Sequence, residues 1–356
     1  MPINYQLALK HGNPLIEGDQ VTIVWQGKQP PLFICDLYDW LEHPIEMEQA
    51  DRSTWFHTMK LRPDAYLEYA FLDAETGERP ADPLNPRRWV PNGFGEVNYY
   101  FYMPEAHPHP LTRRTAEVPR GEVTRHVIET HPYGAGTLRQ VYLYRPAADG
   151  PVPLLVVYDG NDYVHRGRLP VILDNLLAQE RIRPIAAAMV GNHKGARFLE
   201  YGGSEVTTGL LTERVLPLAY THLDLVDLDR FPGAFGILGA SMGGLMSTYT
   251  GWRLPQIFGH VISQSGAYSI RGHTFPIFDM IAYQPLPPIR LWMDIGLYEY
   301  LLDTNRSLHQ LLAHQGFVHG YYEYPGGHNY TAWRNNLWRS LEYMFGSGST
   351  AQTNVR

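Results

Sequence analysis

Through roughly the first hundred residues, apolar and polar positions alternate in short runs with no helical period. Residues 55–61 (Trp-Phe-His-Thr-Met-Lys-Leu) and 66–73 place large apolar side chains at every second position, the spacing of half-buried strands. Residues 21–26 and 31–36 are shorter apolar runs bounded by polar turns. Several short strands without helices between them predict a small antiparallel sandwich over residues 1–104. Residues 105–120 carry Pro104, Pro108, Pro110 and Pro119 in or beside them, together with His107 and His109, and read as an interdomain linker. Two histidines among prolines, with no acidic or cysteine neighbour, read as solvent-exposed rather than metal-binding.

The pattern changes at residue 121. Residues 125–130 and 138–144 predict an antiparallel pair around Gly134-Ala135-Gly136. Residues 153–158 and 184–190 are continuous apolar runs, as strands covered on both faces should be. Further strands are expected at 235–238, 260–266, 290–296 and 320–324, and helices at 169–179, 212–222 and 303–314 and through 333–338. Alternating strands and helices give an α/β domain over 121–346, a mostly parallel sheet with helices on both faces, and the polar tail 347–356 reads as frayed.

One turn in this pattern carries chemistry. The apolar run 235–238 ends in Gly239-Ala240-Ser241-Met242-Gly243 and a helix-compatible stretch follows. Gly-x-Ser-x-Gly between strand and helix is the nucleophile elbow of an α/β-hydrolase, whose turn leaves little room for side chains at the two glycines. A serine hydroxyl needs a base, and in this fold the chain order is serine, acid, histidine. His328, in Pro325-Gly326-Gly327-His328-Asn329, stands in a glycine-rich loop between the last strand and the last helix and is the expected base. The acid is expected in the loop after the preceding strand. Glu299 is preferred, followed by Asp303, which suits a helix cap, and then Asp294, which falls within the strand. An oxyanion hole needs two backbone N–H groups: Met242 supplies one, and Gly160 or Asn161 the other, in the loop after the buried strand 153–158.

These residues resemble the putative-esterase group of α/β-hydrolases, which includes enterochelin esterases, feruloyl esterases, esterase D-type enzymes and mycolyltransferases. The matching stretches are Val157-Tyr158-Asp159-Gly160, Gly239 to Gly244, Gln264-Ser265-Gly266, Asn305-Arg306 and Gly326-Gly327-His328 with Trp333-Arg334. In feruloyl-esterase relatives the acid is usually an aspartate three residues after a glycine. Counting from Gly296 gives Glu299, a departure to glutamate that the mycolyltransferases share. The stretch from Gly191 to Tyr201 resembles the Asn…Arg…Glu-Tyr segment of the same group; it makes Asn192 a candidate for lining the pocket. Arg197 is either paired with Glu200 at i, i+3 or turned toward an anionic substrate. The first hundred residues resemble the immunoglobulin-like early-set domain of glycogen-branching enzymes and enterochelin-type esterases, through Tyr66, Tyr69, Phe71, Asp73 and Asp82-Pro83-Leu84-Asn85-Pro86. The resemblance implies either a glycan-binding module or a structural sandwich, with the second preferred.

Composition narrows the function. A formal charge of −7 and the lack of any Lys/Arg block argue against nucleic acid as partner. No stretch approaches the ~20 apolar residues of a membrane span. One cysteine, Cys35, permits no intramolecular disulfide, and with no secretory pattern at the start a cytoplasmic location is the default expectation. The 24 tyrosines and 8 tryptophans suit a sugar or aromatic ligand as well as a sandwich core. The expectation is a serine esterase without metal or organic cofactor, acting on a small-molecule or carbohydrate ester, either siderophore-type or acylated or feruloylated. An acyltransferase and a non-catalytic glycan-binding relative are the other classes, and the sequence does not speak to oligomeric state.

Overall fold

The computed structural model describes residues 5–93 and 95–348. Within them the chain divides into two compact units. The first holds the chain up to Pro108 together with Gly296–Tyr300 and Tyr324–Ala332; the second holds His109–Ile295, Leu301–Glu323 and the chain from Trp333.

The first unit opens with α1 (Tyr5–His11) and continues through β1 (Leu15–Glu17), β2 (Gln20–Gln26), β3 (Leu32–Cys35), β4 (Glu48–Gln49), β5 (Thr54–Lys60), β6 (Tyr66–Leu72), β7 (Trp89–Pro91) and β8 (Val97–Tyr102). Two four-stranded sheets result, ordered β1-β2-β5-β4 and β3-β6-β8-β7, with antiparallel pairing throughout. The inward positions Val21, Ile23, Phe33, Met59, Leu67, Tyr69, Phe71 and Phe101 form its core. Alternation predicts half-burial for β6, yet Tyr66 to Phe71 are all buried. Polar partners make this possible: Glu68 accepts from the Tyr66 hydroxyl (2.9 Å) and from Asn98 Nδ2 (2.9 Å), and Tyr66 also bonds Thr331. The polar face of this strand is thus covered by the 324–332 segment of the same unit.

The second unit contributes most of an eight-stranded sheet. Its strands are β9 (Glu122–Glu129), β10 (Leu138–Arg145), β11 (Leu154–Val157), β12 (Ala186–Val190), β13 (Phe235–Ala240) and β14 (Phe258–Gln264). After a two-residue-stranded hairpin, β15 (Ser269–Ile270) and β16 (His273–Thr274), come β17 (Arg290–Tyr298) and β18 (His319–Gly327). The order is β18-β17-β14-β13-β11-β12-β10-β9, parallel from β12 through β11, β13 and β14 to β17, with β10 antiparallel to both β9 and β12. The helices are α2 (Gly160–His165), α3 (Leu169–Ala178), α4 (Arg197–Tyr201), α5 (Glu205–Leu210), α6 (Leu216–His222), α7 (Met242–Arg253), α8 (Ile277–Tyr283), α9 (Leu302–His314) and α10 (Tyr330–Phe345). All residues of β11, β12 and β13 are buried, which is what their unbroken apolar runs require. Among the described residues no helix is long and apolar enough to cross a membrane.

Several boundaries differ from expectation. β17 extends to Tyr298 and β18 to Gly327, so the glycine pair before His328 is strand rather than loop. The two strands approach closely here: a Cβ on Gly296 would lie 2.2 Å from the Gly326 carbonyl oxygen. The helix expected at 212–222 belongs to a longer run that begins at Glu205, capped by Ser204, and passes through a π-turn at Leu211–Val215. The stretch 105–120 is tied down for part of its length. Leu111 and Thr112 are buried in a 3₁₀ turn, and Asn175 Nδ2 donates to the carbonyls of Leu111 (2.7 Å) and Arg113 (2.9 Å). His109 stacks on Trp338 while His107 is exposed. In the tail, the Ser347 N–H bonds the Arg181 carbonyl, and the frayed segment expected beyond Gly348 lies outside the described residues.

His260, half-buried in β14, stacks on Phe345 and faces the Gly233 carbonyl. Desolvation, then Arg183 and Arg290, push its pKa down from 6.5 to about 4. The unfolded chain therefore takes up a proton here that the folded chain refuses, and stability falls as pH drops from about 6.5 toward 4. The loss reaches up to about 3 kcal/mol. Urea unfolding at pH 7 and pH 4.5 should show this acid loss, and His260→Gln should reduce it.

Candidate active site

The turn at Ser241 follows from how β13 ends. A Cβ on Gly239 would stand 2.2 Å from the Gly243 carbonyl oxygen, and one on Gly244 would stand 2.7 Å from Ser263 Oγ and 3.0 Å from Gly266 Cα. At Gly243 the nearest atom, Asp159 Oδ2, would be 3.2 Å away. The tightest positions are thus Gly239 and Gly244, not the two glycines of the motif. Between them Ser241 has φ 58° and ψ −124°, a backbone region that residues with side chains rarely enter. Its N–H donates to the Gln264 carbonyl (2.9 Å), and its carbonyl accepts from Ala267 N–H (3.0 Å) and Gly244 N–H (2.9 Å). Met242 is the first residue of α7, where backbone N–H groups have no partner within the helix.

The second oxyanion candidates sit at the start of α2, where a Cβ on Gly160 would lie 2.1 Å from the Met189 carbonyl carbon. The Asn161 side chain accepts from the Tyr142 hydroxyl (3.3 Å). The residue before them, Asp159, is 1% exposed and adopts a left-handed backbone with φ 54°. Its carboxylate receives Arg197 through Nε (2.9 Å) and Nη2 (2.6 Å), and Asn192 Nδ2 donates to the same group. Arg197 Nη2 also reaches the Ala240 carbonyl (3.3 Å), one residue before Ser241. The expected Arg197–Glu200 pair does not form. Glu200 instead binds Arg139 (2.7 Å), both side chains being buried. Spacing along a short helix suggests the neighbour, whereas the buried Asp159 carboxylate offers the stronger partner.

Glu299 directly follows β17 and His328 directly follows β18. His328 Nδ1 and Glu299 Oε2 are 2.6 Å apart, and Glu299 Oε1 accepts from Gly296 N–H (2.9 Å). The Glu299 carboxylate is fully buried and the imidazole is one-fifth exposed. A carboxylate on Nδ1 holds the hydrogen there and leaves Nε2 as the basic nitrogen. The other two acid candidates lie elsewhere. Asp294 is fully buried within β17 and accepts from Trp292 Nε1 (2.9 Å), with Gln264 Nε2 at 3.5 Å. Asp303 is exposed in the first turn of α9, whose cap position belongs to Leu301, so the expected cap does not form. Ser241 lies in the second unit, Glu299 and His328 in the first.

Two residues of consequence carry no separate signal in the sequence. Asp159 reads only as part of an Asp-Gly turn. Ser265 reads only as part of Gln-Ser-Gly, yet it is buried at φ 46° with its Oγ accepting from Trp333 Nε1 (2.8 Å).

A strand-ending serine in a strained turn, within a parallel sheet flanked by helices, defines an α/β-hydrolase. Residues 135–344 match the family model described as "Putative esterase". The chain belongs to this esterase family and is a carboxylic ester hydrolase. It is 24% identical over 281 residues to the iron(III) enterobactin esterase of Dickeya dadantii, covering 72% of this chain and 63% of that protein. The crystal structure of ferric enterobactin esterase from Salmonella typhimurium superimposes with a TM-score of 0.76 at 20% identity, covering 94% of this chain and 96% of that one. A CE1 ferulic acid esterase from Anaeromyces mucronatus covers 68% of this chain and 97% of its own, with a TM-score of 0.56 at 16% identity.

The glycine geometry makes a testable contrast. Gly239→Ala drives a Cβ into backbone that has nowhere to move and should destabilise the protein by about 3 kcal/mol. Gly243→Ala meets only the end of a side chain and should cost less. Urea midpoints of the two variants decide the order.

Proposed function

We propose that this chain is a serine esterase in which Ser241 is the nucleophile, His328 the general base and Glu299 the acid that orients the imidazole. The observation that carries the reading is the 2.6 Å contact between His328 Nδ1 and Glu299 Oε2. It joins a histidine and a carboxylate that follow the strained serine in the chain order this fold uses. In the reaction, Ser241 Oγ attacks the ester carbonyl carbon and its proton passes to His328 Nε2. The Met242 N–H and the N–H of Gly160 or Asn161 hold the negative oxygen of the tetrahedral intermediate. Its collapse breaks the bond to the alcohol oxygen, which takes the proton from His328 and leaves an acyl group on Ser241. Water then repeats the sequence: it gives its proton to His328, attacks the acyl carbon, and releases the acid and the free serine. Glu299 orients the imidazole and stabilises the imidazolium.

For the substrate, the reading is an ester of the catecholate-siderophore type. It is supported by the enterobactin esterase structures sharing both the β-rich front and the hydrolase sheet over 97% of this chain, while the ferulic acid esterases share 64–68%. Arg197 and Asn192 support the site by holding Asp159.

The test is a comparison of p-nitrophenyl butyrate, a feruloyl ester and a cyclic tri-ester of catechoyl-serine. Wild-type protein should cleave the tri-ester with the highest kcat/KM. Ser241→Ala and His328→Ala should each lose roughly 10³-fold or more in kcat. Glu299→Gln should lose a comparable factor, whereas Asp303→Asn should lose none. Activity that survives Ser241→Ala refutes the serine mechanism, and a preference for the feruloyl ester refutes the siderophore assignment.

A further inference from the structure

We propose that Asp36, in the β-rich front of the chain, is a positioning residue for the base: its carboxyl group fixes both chain neighbours of His328, and through them the imidazole that meets Glu299. The inference rests on the reading of His328 as the general base.

Asp36 begins the 3₁₀ turn Asp36–Tyr38 immediately after β3 and is 3% exposed. Its Oδ1 accepts from Trp40 Nε1 (3.1 Å). Its Oδ2 accepts from the Glu68 N–H (2.8 Å) and from Asn329 Nδ2 (3.0 Å). On the other side of His328, a Cβ on Gly327 would fall 2.0 Å from the Asp36 carboxyl carbon. Gly327 is therefore glycine because Asp36 occupies the space, and the two residues that bracket the base both bear on one carboxyl group.

Asn329 turns that contact into a fixed loop geometry. Asp36 Oδ2 accepts, so the Asn329 amide must present its NH₂ there and its oxygen on the other side. That oxygen accepts from Ala332 N–H (2.9 Å) and caps α10, while the Asn329 N–H donates to the Gly327 carbonyl (2.9 Å). His328 is left between two pinned residues, with only its side chain to orient. On the acid side the same unit contributes a further tie, the Arg62 N–H donating to the Tyr298 hydroxyl (3.3 Å) one residue before Glu299.

Stability alone gives little reason for a carboxyl group at this place. Burial and the neighbouring Glu68 carboxylate both push the Asp36 pKa well up, and a buried acidic pair is a poor source of folding energy compared with well-packed apolar side chains. The geometry it imposes on 327–329 is what it supplies.

Asn329→Ser separates the two functions of Asn329: serine caps a helix as well as asparagine does, but its side chain is too short to reach Asp36. With active sites titrated by a fluorophosphonate, Asn329→Ser should lower kcat roughly ten- to a hundredfold, the cost of about 1 Å of misplacement. KM should stay within about twofold, with the unfolding midpoint unchanged. Asp36→Ala should give the same loss in kcat, and adding it to Asn329→Ser should give no further loss, since the effect passes through one contact. Wild-type kcat in Asn329→Ser overturns the proposal, as does a full additional loss in the double variant. If Asp36→Ala does not fold, Asn329→Ser alone decides. Activity that survives His328→Ala would instead remove the reading of the base on which the inference stands, so the two failures are told apart.

Discussion

A serine held at φ 58°, ψ −124° costs on the order of 1–3 kcal/mol in backbone strain and persists only where its surroundings leave no alternative. Here the constraint comes from the end of the neighbouring strand. Gln264 takes the Ser241 N–H and Ala267 gives its N–H to the Ser241 carbonyl, so both peptide groups of the turn are bonded to the end of β14 and the loop after it. That loop is itself strained at Ser265, whose N–H donates to the Asp294 carbonyl (2.7 Å) and whose hydroxyl accepts from Trp333. The Gln264 side chain continues the bracing, bonding the Trp333 carbonyl (3.2 Å) and accepting from the Tyr163 hydroxyl (3.0 Å). Asp294, the weakest acid candidate on sequence, thereby anchors the loop that anchors Ser241.

The residue before α2 is a buried carboxylate. Asp159 is removed from water, and its charge is met by the two-pronged guanidinium of Arg197 and by Asn192. An isolated carboxylate in that position would be costly, and the fixed fork of arginine meets it in a way a lysine could not. Because Arg197 also bonds the Ala240 carbonyl, one side chain ties the loop before Gly160 to the residue before Ser241. The proposed oxyanion donor and the proposed nucleophile are then referred to the same carboxylate, the kind of preorganisation that oxyanion stabilisation needs.

How much of this is legible in the sequence depends on whether the controlling contact is local. The apolar runs at 153–158 and 235–238 read as buried strands and form them, and Gly-x-Ser-x-Gly following one of them locates the strained turn at Ser241 without any tertiary information. Counting three residues from Gly296 puts Glu299 in a place where it does contact His328. Rules of local spacing fail where a partner far along the chain wins. They match Arg197 to Glu200, three residues away, but it binds Asp159, 38 residues away. Gly327 reads as loop because glycine is common in loops, whereas it ends a strand and is glycine so that the Asp36 carboxyl group can approach. Glu68 falls on the face of β6 that alternation would leave to solvent, yet it is buried against Tyr66 and Asn98, the second of them 30 residues away.

The same reasoning bears on what the front of the chain is for. Read as a sandwich with a carbohydrate-module look, it invites a separate binding role. Yet its compact unit includes Gly296–Tyr300 and Tyr324–Ala332, the segments that bear Glu299 and His328. The bonds that hold these segments come from Asp36, Arg62 and Tyr66, all on or beside the front strands. Tyr66 and Tyr69 are buried and bonded to Glu68 and Asp82, so their polar tips serve the fold. Glu299 and His328, the acid and the base of the proposed mechanism, are thus held within the front unit's own hydrogen-bond framework.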